Sequence, residues 1–164
     1  MSGSTEEQEL VNDLKQRFGS EVAETLIQRP RRVFITITSD ALIEVMSYVS
    51  QKGYRHVSTI TGLDLGQSLS VIYHLIEGNV VLSLKTVVPK SDPKLSTIVN
   101  IIPGAELYER EIHDMFGVVF QGHPDLSPLI LPEKWPAGLY PLRKEWKVEA
   151  IKLELEKARV KNDV

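Results

Sequence analysis

This sequence predicts an α+β domain, a mixed β-sheet flanked by helices, and three features carry that reading. Strand-like runs are grouped rather than strictly alternating with helices. A two-residue hairpin signal, Gly78-Asn79, separates two of those runs. Segments of helical period, several of them ended by glycine, lie before, beside and after the strands. An irregular Pro/Gly-rich C-terminal extension and a terminal helix complete the pattern. The predicted division is 1–125, an α+β domain with a helix at 5–18 and a core over 20–125, then 126–164, an extended docking segment and a charged helix.

Thr5 with Gln8 three residues on has the form of a capping box, and Gly19 stops the helix it opens. Leu10, Val11, Leu14 and Phe18 share one face, and charged side chains cover much of the rest. Residues 21–28 are ambiguous, with a short edge strand as one reading. After Pro30, Val33, Ile35 and Ile37 alternate with Phe34, Thr36 and Thr38, and the β-branched members suit a pleated surface. Ser39-Asp40 offers an N-cap for a helix to about Lys52, with Leu42, Val45, Met46 and Val49 inward and Gly53 as its stop. Strands over 55–63, 69–77 and 80–88 follow, the first two joined by a turn-rich segment from Asp64 to Ser68. Residues 89–104 read as a connection that ends at a helix entry, Pro103-Gly104, and a helix runs over 105–116. The five prolines in the stretch from Gly117 to Pro141, counting Pro141 itself, argue against regular structure there. Leu126, Leu129, Ile130, Leu131 and Trp135 in that stretch must still pack on something. Last, 145–161 is a charged helix with a narrow seam of Val148, Ile151, Leu155 and Ala158.

At 164 residues the chain has room for one domain or one domain plus an extension. Its formal charge of -3 argues against nucleic acid as a partner, since phosphate binding shows as a basic excess. With no cysteine, thiolate catalysis, disulfides and cysteine-ligated zinc or iron–sulfur clusters are excluded on this chain alone. No apolar run approaches the roughly 20 residues that span a bilayer, and the polar start MSGSTEEQEL is unlike a secretory signal. The expectation is a soluble or peripherally bound chain.

The densest polar cluster is ELYEREIHDMFG, residues 106–117. Helical spacing predicts a buried stripe of Tyr108, Ile112, Met115 and Phe116, continued by Val119. Glu106, Arg110 and Asp114 then form a ridge of alternating sign, and Glu109 pairs with His113, each pair worth about 0.2–0.5 kcal/mol on a solvated helix. Glu109, His113, Asp114, His123 and Asp125 also offer metal donors, but no helical pair of histidines at ligand spacing accompanies them. His56 and His74, within strands, read as structural. Nucleophile-elbow, Walker-type and dinucleotide glycine motifs are absent. From the residues alone this is an α+β domain without chemistry of its own.

The run ERE-x-x-D-M-F-G-x-x-F-x-G-H-P-D-L from Glu109 to Leu126, followed by PLRKEW at 141–146, resembles the 30 kDa subunit of respiratory complex I, also called the C subunit of NADH dehydrogenase. That family includes subunits of membrane-bound nickel–iron hydrogenases and of archaeal complex I-like enzymes. The resemblance covers roughly residues 20–146. Ser127 departs from it, standing where the signature has Arg, Lys or Pro. The ending KWPAGLYPLRKEW is more similar to the hydrogenase and archaeal branch than to the shorter bacterial and mitochondrial form.

The resemblance implies a non-catalytic assembly subunit in the peripheral electron-transfer arm of an ion-translocating oxidoreductase complex. Cofactors would sit on partner subunits: iron–sulfur clusters and, in the hydrogenase branch, a nickel–iron centre. The implied partners are the large subunit with the nickel–iron or quinone site and the small iron–sulfur subunit, with no nucleic acid and no membrane span. The implied place is the cytoplasmic face of the cell membrane. No catalytic, cofactor-binding or metal residue is expected. The motif residues carried over for folding and docking are Glu109, Arg110, Glu111, Asp114, Gly117, Gly122, His123, Pro124, Asp125, Leu126, Pro141, Leu142, Arg143 and Lys144. Arg143 in particular would offer its fork of donors to a neighbouring chain. The competing readings are the C subunit of complex I proper, a stand-alone enzyme using the Glu109–His123 cluster, and a binding module unrelated to redox that grips through 126–142.

Overall fold

The computed structural model describes residues 5–162. In chain order they form α1 (Thr5–Phe18), β1 (Val22–Arg29), β2 (Arg32–Ile37), α2 (Leu42–Gln51), β3 (His56–Asp64), β4 (Ser68–Glu77), β5 (Val80–Pro89), β6 (Lys94–Ser96), α3 (Glu106–Phe116), β7 (Val119–Gln121) and α4 (Val148–Asn162). The main sheet is mixed, in the order β1-β2-β5-β4-β3. β2 runs parallel to β5, and the other neighbours are antiparallel.

The alternation read from 33–38 is the packing of β2. Val33, Ile35 and Ile37 face the core, beside Leu82 and Leu84 of β5 and Tyr73 and Leu75 of β4. On the same core close Leu10, Val11 and Leu14 of α1, Leu42, Val45, Met46 and Val49 of α2, and Ile112 and Phe116 of α3. α3 approaches β3 closely because Gly62 has no side chain. A Cβ there would lie 2.5 Å from the Phe116 ring.

Three expectations are resolved or changed. The ambiguous stretch after residue 20 is an eight-residue edge strand, β1. α2 starts at Leu42 after Ala41 with no side-chain cap, so Ser39-Asp40 is a turn rather than an N-cap. The Thr5 side chain of the proposed capping box lies outside the described residues. β6 and β7, each three residues long, form a small parallel sheet within two segments read as irregular.

Candidate functional site

α3 ends as its sequence demands, with Gly117 in the left-handed region at φ 71 and its N–H donating to the His113 carbonyl at 2.8 Å. The charged side chains of the helix are not the self-compensating surface that i, i+4 spacing suggested. Glu109 is fully buried, and Asp114 is 6% exposed. Glu109 accepts the Thr97 hydroxyl at 2.5 Å and the Ile98 N–H at 2.9 Å, so it caps the loop that leaves β6. Burial pushes its carboxyl up to about 7, with the bonds from Ile98 and Thr97 opposing the rise.

Around Glu109 stand two further ionisable side chains. Tyr73 of β4 is completely buried, and its hydroxyl has no partner among the described residues. Burial and then the Glu109 charge raise its pKa well above the ordinary value. The buried His123 ring reaches the Glu106 carbonyl at 3.1 Å through Nε2, which is 4.0 Å from Glu109. Its Nδ1 accepts the Asp125 N–H at 3.1 Å, the pairing of a ring that carries its donor on Nε2 toward the Glu106 carbonyl.

Arg110 turns toward the following segment rather than along its helix. It donates to the Ser127 carbonyl at 3.0 and 3.1 Å, to the Ser127 hydroxyl at 3.0 Å and to the Pro128 carbonyl at 3.1 Å. Asp125 in turn accepts the Ser127 N–H at 2.8 Å and its hydroxyl at 3.0 Å. The serine that departs from the family signature is thus used on three sides. One carboxylate oxygen of Asp114 collects the N–H groups of Leu129, Ile130 and Leu131 at 2.9, 2.8 and 3.1 Å. Burial works against its charged form, but these three bonds prevail and hold the carboxyl below the ordinary range.

The rest of the extension is fastened in the same manner. The Leu142 N–H donates to the Met115 carbonyl at 3.2 Å. Arg143 donates through Nε to the Phe116 carbonyl at 2.7 Å, with its guanidinium 4.3 Å from the centre of the Tyr140 ring. One donor of the fork expected to meet a neighbouring chain, Nε, is used inside this one. Trp135 closes a proline-rich loop by donating to the Leu139 carbonyl at 2.7 Å. Asp64, at the far end of β3, accepts N–H bonds from Lys144 at 2.8 Å and Gly66 at 2.7 Å and an ion pair from Lys90 at 2.6 Å. Lys90 also pairs with Glu145. Burial would raise the Asp64 carboxyl, yet the Lys90 ammonium and the two N–H groups bring it down to about 2. Residues 126–145 therefore form a strap laid over α3 and pinned at Asp64.

Of the carried-over residues, Glu109, Arg110, Asp114, Gly117, His123, Asp125, Arg143 and the Lys144 backbone build this strap and its anchor. Leu126 is half-buried against the core. Glu111, Gly122, Pro124 and Leu142 face solvent, while Pro141 is half-buried. Asp64, Lys90, Thr97 and Tyr140 are the participants that sequence reasoning missed. The five proposed metal donors are dispersed among separate hydrogen-bonding tasks, and among the described residues no three His, Asp or Glu side chains gather as a metal would need. His74, at 2.8 Å from the Ser83 hydroxyl within the sheet, is structural, and His56 is exposed.

Asp114→Ala should leave three backbone donors without their acceptor and cost on the order of 2 kcal/mol. Hydrogen exchange is the direct check. The amides of 129–131 should exchange at least about tenfold faster while those of β4 and β5 keep their protection. Unchanged exchange at 129–131 would mean that the carboxylate does not hold the strap.

Comparisons with known proteins identify the family and the fold. The family profile described as "Respiratory-chain NADH dehydrogenase, 30 Kd subunit" matches residues 35–152. The chain is 32% identical to the C subunit of F(420)H(2) dehydrogenase from Methanosarcina mazei over 144 residues, 84% of this chain and 89% of that one. It is 31% identical to the C/D subunit of NADH-quinone oxidoreductase from Edwardsiella ictaluri over 170 residues, covering 94% of this chain but spanning only 28% of that relative. Among solved structures, a chain of the membrane-bound sulfane sulfur reductase, an archaeal respiratory membrane complex, matches with a TM-score of 0.77 and 25% identity over 93% of this chain and 92% of that one.

Proposed function

The chain belongs to the respiratory-chain NADH dehydrogenase 30 kDa subunit family, and on that premise we propose that it is a non-catalytic assembly subunit of a membrane-bound respiratory complex. It docks on the large subunit bearing the nickel–iron or quinone site and on the small cluster-bearing subunit, in the peripheral arm at the cytoplasmic face. The iron–sulfur clusters, and a nickel–iron centre where the complex has one, belong to those partners. Among the described residues no helix is long and apolar enough to cross a membrane.

One observation carries the proposal. The motif from Glu109 to Lys144 uses its charged groups to fix an apolar, proline-rich segment against α3. Catalytic constellations leave a general acid, base or nucleophile within reach of a reacting atom. Here the buried carboxylates bind backbone N–H groups, which is what a scaffold needs.

Within the family we favour the archaeal branch on length: the Methanosarcina relative and the archaeal reductase chain match over most of their own length, whereas the C/D relative, at a similar identity, is several times longer. A tagged chain expressed in its native cells and extracted in mild detergent should bring down both partners together with iron. A large subunit with paired CxxC motifs would mark a hydrogenase-type complex, and one lacking them a carrier- or quinone-reducing relative. Recovery as a lone soluble monomer would refute the assignment.

A further inference from the structure

We propose that the groove between the first turn of α3 and the start of the strap is the seat of one segment of a neighbouring subunit, an apolar side chain flanked by lysine or arginine. The inference rests on the subunit role above and narrows it to a face and a partner chemistry. The groove encloses about 510 Å³ and is walled by Pro103, Leu107, Tyr108 and Leu129. Leu107 is 56% exposed, Leu129 38%, and Ile130 next to it 57%.

These apolar side chains are not loose ends. With the N–H groups of 129–131 drawn onto Asp114, the backbone at these positions faces inward while Leu129 and Ile130 stay open to solvent. Tyr108 is held as well, its hydroxyl donating to the Ser58 carbonyl at 3.2 Å. The molecule thus keeps a prearranged apolar surface, and preorganisation is what lowers the entropic cost of docking.

Charge identifies the occupant. Glu106 and Glu111 are the only charged residues lining the groove, and neither meets a cation among the described residues. The nearest arginine on the helix, Arg110, is committed to Ser127 and Pro128. Two such carboxylates beside exposed leucines call for a basic rim around an apolar knob. A second copy of this chain is the competing occupant, since its own exposed Leu142 precedes Arg143 and Lys144, and the cross-link decides between the two.

The test places a benzophenone cross-linker at position 107 in the full chain within native membranes, with the cross-linked peptide identified by mass spectrometry. The expected product joins another chain of the same complex at an apolar residue with Lys or Arg within a few positions. E106K/E111K should cut that product and the recovery of the partner by about tenfold, with E106Q/E111Q intermediate and the melting temperature of the purified chain unchanged. Cross-linking to a second copy, or to a segment without basic neighbours, would overturn the proposal. So would the absence of any product while the tagged chain still recovers its partners, a result that leaves the subunit role standing. Failure to recover partners at all would remove both.

Discussion

Gly117→Val is expected to cost the chain on the order of 4 kcal/mol, because two separate penalties combine. At φ 71 a β-branched residue adopts a conformation that L side chains disfavour by about 1–2 kcal/mol. A Cβ at this position would also clash with the Tyr140 ring, and forcing an extra group into a packed contact costs about 1–3 kcal/mol. Tyr140 cannot simply move aside, since its ring carries the Arg143 guanidinium that closes the end of α3. Urea unfolding of Gly117→Ala, Gly117→Val and the double variant Gly117→Ala/Tyr140→Ala separates the two penalties. The double variant should regain the steric share and keep the backbone share. A Gly117→Ala chain within about 0.5 kcal/mol of the parent would show that the strap does not lie against this glycine.

Glu109→Gln should make the chain more stable at pH 8 and leave it nearly unchanged at pH 4.5. The folded carboxyl titrates near 7 against an ordinary 4.5, because burial outweighs the bonds from Ile98 and Thr97. A group whose pKa is raised by folding contributes its full stability below its unfolded value and loses it as pH climbs through the folded one. Wild-type stability from this site therefore declines between about pH 4.5 and 7, by on the order of 3 kcal/mol, and is flat above. Glutamine keeps an oxygen for the Ile98 N–H and an amide for the Thr97 hydroxyl but has no charge to bury. Tyr73 and His123 face the same carboxyl, so the difference between the two proteins, and not either curve alone, isolates Glu109. Denaturant titrations at pH 4.5, 6 and 8 measure it. A variant less stable than wild type at pH 8 would show that the charged form is favoured in place. Asp64 acts in a different window, its contribution fading only as pH falls below about 4 toward 2.

The parts of the fold that sequence revealed are those with a period. Val33, Ile35 and Ile37 announced β2, the Leu42-to-Val49 spacing announced α2, and Gly78 and Gly117 marked a hairpin and a helix end. β6 and β7 escaped because three residues are too few to show a period, and because a parallel pair has no hairpin turn to advertise it. The charges of α3 misled for a related reason. Spacing of i, i+4 is identical for a surface ion pair and for two side chains drawn separately into the protein, and only the partners decide. Those partners are distant in sequence: Thr97 lies 12 residues before Glu109, and Lys144 lies 80 after Asp64. The motif named Glu109, Asp114 and Arg143 without disclosing that each binds within its own chain.

Asp114 grips Leu129, Ile130 and Leu131 by their main-chain N–H groups alone. Every amino acid except proline supplies that group, so the fold places almost no demand on which side chains stand at these three positions. A mutation there alters what the surface presents without disturbing how the surface is held. Lineages that adopt this subunit into complexes with different neighbours can rewrite the outward face of the strap one residue at a time. The architecture beneath need not be reinvented.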